Sequence, residues 1–307
     1  MLKRSIILKK IFAFIFIFAV VLSVKTAAVN ANAVIVNNDI EKNPENSLKT
    51  ENSAEGTTDN NLNNAESYDT ENNSAINDIE ENYKISANLG NTQYSITEAP
   101  KASRVIYPDK PMIAITYDDG PSQYTPEILD ILKKHNSAAT FFVLGSRVSS
   151  NKDVLKRMIG EGSQIGNHSY NHKNLTTISD EELYKQIQGT DDLVYMATGY
   201  TPSIMRPPYG ITSGETDVKI NRPIIKWSVD TRDWESRNSN MIIKSLENVK
   251  DGDIILMHDL YDSTLEASRI AIPQLINKSF QLVTIEELFE YRGAVSIAGQ
   301  QYYHLHK

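Results

Sequence analysis

Short apolar runs and amphipathic stretches alternate along the chain from about residue 104 onward. Apolar runs of this length predict buried strands, and apolar residues repeated at helical spacing predict helices. The predicted strands are PMIAITY, ATFFVLG, SQIGNHS, SIMR, IIKWSVD, DIILMHD and FQLVTI. The predicted helices are TPEILDILKKH, KDVLKRMIGEG, a long helix from about Ser179, and segments near 239–249, 264–277 and 286–292. About seven such units predict an α/β fold whose parallel sheet closes, or nearly closes, into a barrel.

The first hundred residues follow a different pattern. A basic start with Lys3 and Arg4 leads into an apolar run at residues 11–24, and small residues follow up to Ala33. This order is typical of a secretory signal, with cleavage expected after Ala33. The apolar run is short of the roughly 20 residues that span a bilayer. An uncleaved membrane anchor is the alternative for residues 1–33.

Residues 34–100 are rich in Asn, Glu, Ser and Thr. Twelve acidic residues lie within residues 34–82, against only Lys42 and Lys49. Such a segment buries too little apolar surface to offset its ordering entropy, so we expect a disordered acidic linker. The predicted organisation is therefore a signal or anchor (1–33), the linker (34–100), a folded domain (101–293) and a short C-terminal tail (294–307).

Charge and cysteine content narrow the function. Residues 83–307 are only mildly acidic and carry no basic stripe, which argues against nucleic acid as a partner. The chain has no cysteine, so a disulfide framework and a thiolate metal site are both excluded. Any metal must be held by His, Asp or Glu. Contact with a membrane is expected only through the N-terminal segment.

Polar residues follow the predicted strands at their carboxyl ends. They are Asp118 and Asp119 after the first strand, His168 and His172 after the third, Arg206 after the fourth, Asp230 to Trp234 after the fifth, and His258 after the sixth. In a parallel barrel these strand ends share one face, which is where active sites lie. A simple turn at TYDDGP is the alternative, but it gives no reason for polar residues after the other strands.

The stretch HSYNH indicates metal chemistry. His168 and His172 stand at i, i+4, a spacing that turns two imidazoles to one side if the segment coils. Two imidazoles and one carboxylate leave coordination positions open, as in hydrolytic sites. Of the two aspartates, one can ligate and the other can act as a base. A solvated pair of histidines is the alternative for this stretch alone.

RPPYG and the two later motifs suggest the remaining parts of a hydrolytic site. Consecutive prolines stiffen the chain, so Tyr209 offers the first free N–H, a suitable oxyanion donor. Arg206 can clamp a carboxylate. Trp234 and Leu256 can wall a small apolar group, and His258 can protonate a leaving amine.

The motifs TYDDGP, HSYNH, RPPYG, DTRDW and LMH, in this order, resemble the five motifs of the NodB-type polysaccharide deacetylases, carbohydrate esterase family 4. The resemblance covers about residues 104–292 and implies a distorted (β/α) barrel. It also implies a divalent metal, usually Zn²⁺, with Co²⁺, Ni²⁺ or Mn²⁺ as alternatives, and removal of acetyl groups from polysaccharides. Two departures stand out: Tyr117 where Phe is common, and MHDLYD after the last motif, which touches the substrate cleft.

The resemblance also implies a role for each matching residue. Asp118 is expected to be the base, with Asp119, His168 and His172 as metal ligands. Arg206 is expected to orient Asp118, and the Tyr209 amide to hold the oxyanion. The remaining expectations are that Asp233 tunes the site electrostatically, that Trp234 and Leu256 line the acetyl pocket, and that His258 is the acid.

We therefore expect an exported, metal-dependent hydrolase that acts at the cell wall. Its first candidate substrate is N-acetylglucosamine of peptidoglycan, whose deacetylation would reduce cleavage by lysozyme. Chitin oligosaccharides and acetylated xylan are the alternative substrates. A non-catalytic glycan-binding protein on the same barrel is a second alternative. A retaining glycosidase is disfavoured because its two carboxylates need no HxxxH.

Overall fold

The structure is a computed structural model that describes residues 104–307. The predicted signal or anchor (1–33) and the predicted linker (34–100) lie outside the described residues. No helix within residues 104–307 has the length and apolar character needed to cross a bilayer.

Eight strands build the sheets of the described residues. They are β1 (Met112–Asp118), β2 (Thr140–Val143), β3 (Gln164–Asn167), β4 (Ile224–Ile225), β5 (Val229–Asp230), β6 (Ile254–His258), β7 (Gln281–Leu282) and β8 (Gln301–Tyr302).

Helices connect the strands at most of the predicted positions. They are α1 (Thr125–Lys134), α2 (Gly145–Val148), α3 (Lys152–Gly160), α4 (Asp180–Thr198), α5 (Gly214–Ile220), α6 (Asp233–Ser236), α7 (Ser239–Ser245), α8 (Asp262–Asn277) and α9 (Ile285–Arg292). Short 3-10 turns cover Ser149–Asn151 and Pro208–Gly210. The long helix begins next to Ser179 as predicted, and Ser179 caps α4, because its side chain accepts a hydrogen bond from the Glu182 N–H.

The strands close into a distorted barrel. β1 lies at the centre and pairs in parallel with β2 and β6, which pair in turn with β3 and β5. Met205 links β3 to β4 through single parallel bridges to Asn167 and Ile224. Only three residues separate β4 from β5. The continuous segment 224–230 therefore lies beside Met205 through β4 and beside β6 through β5, and it completes the ring. The predicted α/β barrel is confirmed.

Alternating residues of β1 divide the core into two layers. Ile113, Ile115 and Tyr117 face outward and pack in the larger cluster with the surrounding helices. Met112 and Ala114 lie in a second cluster with the buried Phe142, which stands beside Asp118 in the sheet register. Thr116 and Asp118 share the inward face, so the sheet directs Asp118 toward the mouth.

Several predicted strands are shorter in the structure than in the sequence reading. SIMR contributes only the bridge at Met205, and IIKWSVD divides into β4 and β5. FQLVTI retains two strand residues in β7, paired with the start of β1. The segment between SIMR and IIKWSVD, for which the sequence predicts no element, holds α5, and the predicted C-terminal tail (294–307) supplies β8, which pairs in parallel with β4.

Candidate active site

Asp118 ends β1 at the centre of the barrel mouth. Its side chain is almost fully buried, and Arg206 Nη1 donates to its Oδ1 at 2.7 Å. The same nitrogen donates to the Thr116 hydroxyl at 2.6 Å. One side of the Asp118 carboxylate is therefore fixed by Arg206, and Oδ2 is left facing the mouth.

Arg206 is held by the barrel wall itself. Its Nε donates to the Ile225 carbonyl at 3.0 Å, and Nη2 donates to the Lys226 carbonyl at 2.9 Å. Its guanidinium lies over the Phe142 ring, 4.2 Å from the centroid. The break between β4 and β5 leaves these two carbonyls free to accept, so the irregular strand is what holds Arg206. Planar guanidinium groups suit such multiple contacts.

Asp119, His168 and His172 form the described cluster that can hold a metal ion, with ligand atoms within 4.8 Å of one another. Asp119 Oδ1 lies 3.4 Å from His168 Nε2 and 3.3 Å from His172 Nε2. His168 Nδ1 lies 2.6 Å from the Arg206 carbonyl, which fixes Nδ1 as the donor and turns Nε2 to Asp119. Such second contacts orient histidine ligands in metal sites.

A divalent cation fits this donor set. Asp119 Oδ1 is buried and has no hydrogen-bond partner among the described residues. Buried polar atoms are rarely left unpaired, so an orphaned carboxylate oxygen between two imidazoles favours a ligand at that point. Burial acts to raise the pKa of Asp119, but the neighbouring imidazoles of His168 and His172 outweigh it and hold the pKa below its usual range. The carboxylate is therefore ionised and ready to bind a cation.

Three residues at this mouth, Asp119, His172 and Tyr209, adopt left-handed backbone conformations. Their φ angles are 69°, 64° and 60°. Residues other than glycine adopt this region at a cost of about 1–3 kcal/mol each, and such residues cluster at functional sites. The fold therefore forces the backbone here into the directions that the side chains and amides need.

His258 ends β6 opposite Asp118 in the sheet register. Its Nδ1 donates to Asp233 Oδ1 at 2.8 Å, and its backbone N–H donates to Asp233 Oδ2 at 2.7 Å. Burial lowers the pKa of His258, but the hydrogen bond and charge of the buried Asp233 outweigh it and raise the pKa to about 9. His258 is thus held protonated near neutral pH, which suits a proton donor.

The other predicted residues also lie at the mouth. Tyr209 is exposed, its ring meets His172 edge-on at 4.4 Å, and its N–H has no acceptor among the described residues. Trp234 is 46% exposed and directly follows Asp233. Leu256 is buried on the same face of β6 as His258. A free N–H and a partly apolar wall are thus available beside the cluster.

Three residues at the site were missed by sequence reasoning. The Thr116 hydroxyl links Arg206 to the Ile255 carbonyl, and Thr264 donates to Asp233 Oδ2 at 2.7 Å. Asp259 is fully buried beneath the turn after Asp119, and a Cβ at Gly120 would overlap its carboxylate. Burial raises the pKa of Asp259 to about 7. Thr116 opens the TYDDGP motif, but no spacing rule marks Thr264 or Asp259.

Comparisons with known proteins point to the same family as the five sequence motifs. The profile of the family described as polysaccharide deacetylase matches residues 106–222. A peptidoglycan-N-acetylglucosamine deacetylase of Listeria monocytogenes is 41% identical over 228 residues, covering 72% of this chain and 48% of the relative. This chain thus spans about half the length of that relative.

Two further relatives are covered over most of their length. A peptidoglycan-N-acetylglucosamine deacetylase of Bacillus cereus is 39% identical over 191 residues, covering 59% of this chain and 70% of the relative. The solved structure of a peptidoglycan deacetylase from Bacillus subtilis has a TM-score of 0.60 and 40% identity, covering 61% of this chain and 94% of that one. The five motifs, the barrel and these relatives agree: the chain belongs to the polysaccharide deacetylase family.

Proposed function

We propose that this protein is a metal-dependent hydrolase that removes N-acetyl groups from N-acetylglucosamine of peptidoglycan and releases acetate. The observation that carries the proposal is the convergence of three units on one barrel mouth. These units are the Arg206-bound Asp118, the cluster of Asp119, His168 and His172, and the His258–Asp233 pair. Each supplies one requirement of amide hydrolysis: a base, a cation site and an acid.

Asp119, His168 and His172 would hold the cation, with Zn²⁺ as the first candidate. These N/O ligands also suit Co²⁺, Ni²⁺ or Mn²⁺. When bound, a divalent cation supplies Lewis acidity, which acidifies water and polarises a carbonyl oxygen. No cysteine competes for the ion, since the chain contains none.

The chain's own residues carry the proton transfers. Asp118 takes a proton from the attacking water through the carboxylate oxygen that Arg206 leaves free. The Tyr209 N–H donates to the oxyanion that forms as the acetamide carbonyl is attacked. His258, held by Asp233 through Nδ1, gives its Nε2 proton to the departing sugar nitrogen. Trp234 and Leu256 wall the acetyl methyl group.

Peptidoglycan is the proposed substrate because the relatives of this chain are named for it. The proteins of Listeria monocytogenes and Bacillus cereus are both named as peptidoglycan-N-acetylglucosamine deacetylases. We propose that the protein acts outside the membrane, with residues 1–33 as export signal or anchor and residues 34–100 as a tether to the catalytic domain. Free amines on wall glycans would lower the wall's negative charge and its cleavage by lysozyme.

Acetate release from peptidoglycan, chitin oligomers and acetylated xylan, measured side by side with metal content, tests the proposal. Mass spectrometry of muropeptides from cells with and without the protein identifies the sugar. We expect glucosamine-containing muropeptides only where the protein is present. Acetate from xylan alone would overturn the peptidoglycan assignment. No acetate from any substrate by the metal-loaded protein would instead indicate a glycan-binding protein.

A further inference from the structure

Two arginines of the described residues have no carboxylate partner. Ion pairs within 4.0 Å involve Arg104, Arg157, Arg206, Arg222, Arg232, Arg269 and Arg292. The remaining two, Arg147 and Arg237, form none. Both follow strand ends on the face of the catalytic mouth, Arg147 in α2 after β2 and Arg237 after α6. The two arginines that pair with no described carboxylate therefore both lie on the face of the mouth.

Arg237 is fixed in place although its surface is exposed. Its guanidinium carbon lies 3.4 Å from the centroid of the Tyr261 ring, and its Nε donates to the Trp234 carbonyl at 2.8 Å. The two terminal nitrogens have no acceptor among the described residues. Stacking and one hydrogen bond thus pre-order the group and leave open the edge that binds carboxylates in a bidentate manner.

Tyr261 places this guanidinium next to the proposed acid. The Tyr261 ring lies 6.2 Å from the His258 ring, and Trp234 directly follows Asp233, the partner of His258. Burial raises the pKa of Tyr261, while the positive charges of both Arg237 and Arg147 oppose that rise. Arg237 therefore lies on the rim beside the ring of His258, while the charge of Arg147 acts both on Tyr261 and on the buried Asp259.

We propose that Arg237, stacked on Tyr261, binds an acidic substituent on the sugar next to the one being deacetylated. This proposal rests on the proposed function. In peptidoglycan the neighbouring sugar carries a lactyl group, with its own carboxylate or with a peptide that bears carboxylates, whereas chitin is uncharged. Arg237 would then favour the acidic wall glycan over neutral glycans, and Arg147 would add positive potential on the same side.

The test compares Arg237→Met with the wild type in the full-length, metal-loaded protein. Met keeps most of the side-chain length and removes the charge. The substrates are glycan strands stripped of peptide, strands that retain peptide, stripped strands whose lactyl carboxylates are converted to neutral amides, and chitotetraose. Arg232→Ala is the matched control, because Arg232 lies on the same turn but pairs with Glu235.

We expect Arg237→Met to raise KM for an acidic strand about threefold to fivefold relative to chitotetraose, the upper part of the range for exposed charge pairs, with a smaller change in kcat. The preference should shrink with added salt and vanish for the amidated strands. If only peptide-bearing strands respond, the recognised carboxylate belongs to the peptide; if stripped strands respond, it belongs to the lactyl group. Arg232→Ala should keep the wild-type ratio.

Two results separate this inference from the proposed function. If the wild type releases acetate but the ratio of KM values is the same in Arg237→Met, the subsite is refuted and the deacetylase assignment stands. If no substrate is turned over, calorimetric binding of stripped strands decides: weaker binding to Arg237→Met supports the subsite, and equal binding refutes it.

Discussion

The substitution Asp233→Asn tests the proposed acid most directly. The amide keeps the shape of the carboxylate but removes the charge that holds His258 protonated. The pKa of His258 is raised from 6.5 to about 9, against the opposing effect of burial. Without Asp233 the imidazolium loses its largest stabilising contact, so we expect its pKa to fall by about two units, equivalent to about 3 kcal/mol.

The sign of the effect follows from the role of His258. A proton donor is active below its pKa, so kcat falls as pH rises through that value. The alkaline limb of the kcat profile should therefore move from near pH 9 toward neutrality in Asp233→Asn. At pH 8.5 the loss in kcat should be about 25-fold, while at pH 6 it should be much smaller.

The assay measures acetate release from chitotetraose between pH 5 and 10. An aryl acetate serves as a second substrate, because its leaving group departs without protonation and should be much less sensitive to Asp233→Asn. Asp230→Asn is the matched control, since Asp230 is exposed and, within residues 104–307, its side chain accepts only from the Arg232 N–H. An unchanged alkaline limb in Asp233→Asn would refute the assignment of His258 as the acid.

The pH dependence of the free energy of unfolding should also reflect the His258–Asp233 pair. The folded-state pKa of His258 lies above its unfolded value, so the stabilisation is fully present below about pH 6.5 and is lost as pH rises through about 9. The difference in unfolding free energy between wild type and Asp233→Asn should therefore narrow over that range. Urea denaturation at several pH values measures it, and a gap that widens with pH would contradict the argument.

Three further outcomes are expected. His172→Ala should lose both bound metal, measured by plasma mass spectrometry, and acetate release; full activity in a metal-free sample would exclude the cluster as the metal site. Asp118→Asn should keep the metal but lower kcat by about 100-fold or more, because the amide cannot accept the proton of the attacking water. If Asp119→Asn retains the metal and Asp118→Asn does not, then Asp118 is the metal ligand and Asp119 is the base. Arg206→Met should destabilise the fold by about 3–5 kcal/mol in urea, because it strands a buried carboxylate. The exposed ion pair between Arg269 and Glu127 is the control, and Arg269→Met should lower the free energy of unfolding by about 1 kcal/mol or less. An equal loss of stability in both variants would refute the claim that burial makes the Arg206 pair more important.

Sequence patterning predicted the parts of the fold that are regular. β1, β2 and β6 are apolar runs, and polar residues stand at the ends of β1, β3 and β6, so the face of the candidate site could be located from the sequence. The fifth strand, IIKWSVD, was predicted too long, because it is broken where the carbonyls of Ile225 and Lys226 bind the side chain of Arg206. β8 pairs over two residues, which is too short for any periodic signal.

The parts of the site that escaped prediction depend on contacts between distant segments. Tyr261 meets Arg237 across 24 positions of sequence, and Thr264 reaches Asp233 across 31. Neither pair has a composition or spacing that marks it. A motif identifies residue types that chemistry requires, whereas the partners that orient them are determined by how the barrel brings strand ends together.

The left-handed backbones at Asp119, His172 and Tyr209 have a consequence for engineering this protein. Glycine adopts that conformation without penalty, so glycine at any of the three would relax the local backbone conformation. Glycine at Asp119 or His172 removes a side chain that we propose as a metal ligand, so selection for heat resistance and selection for turnover oppose each other there. At Tyr209 the proposed oxyanion donor is the backbone N–H, which glycine retains. Tyr209→Gly is therefore the substitution of the three that can raise thermostability while it keeps the proposed oxyanion donor.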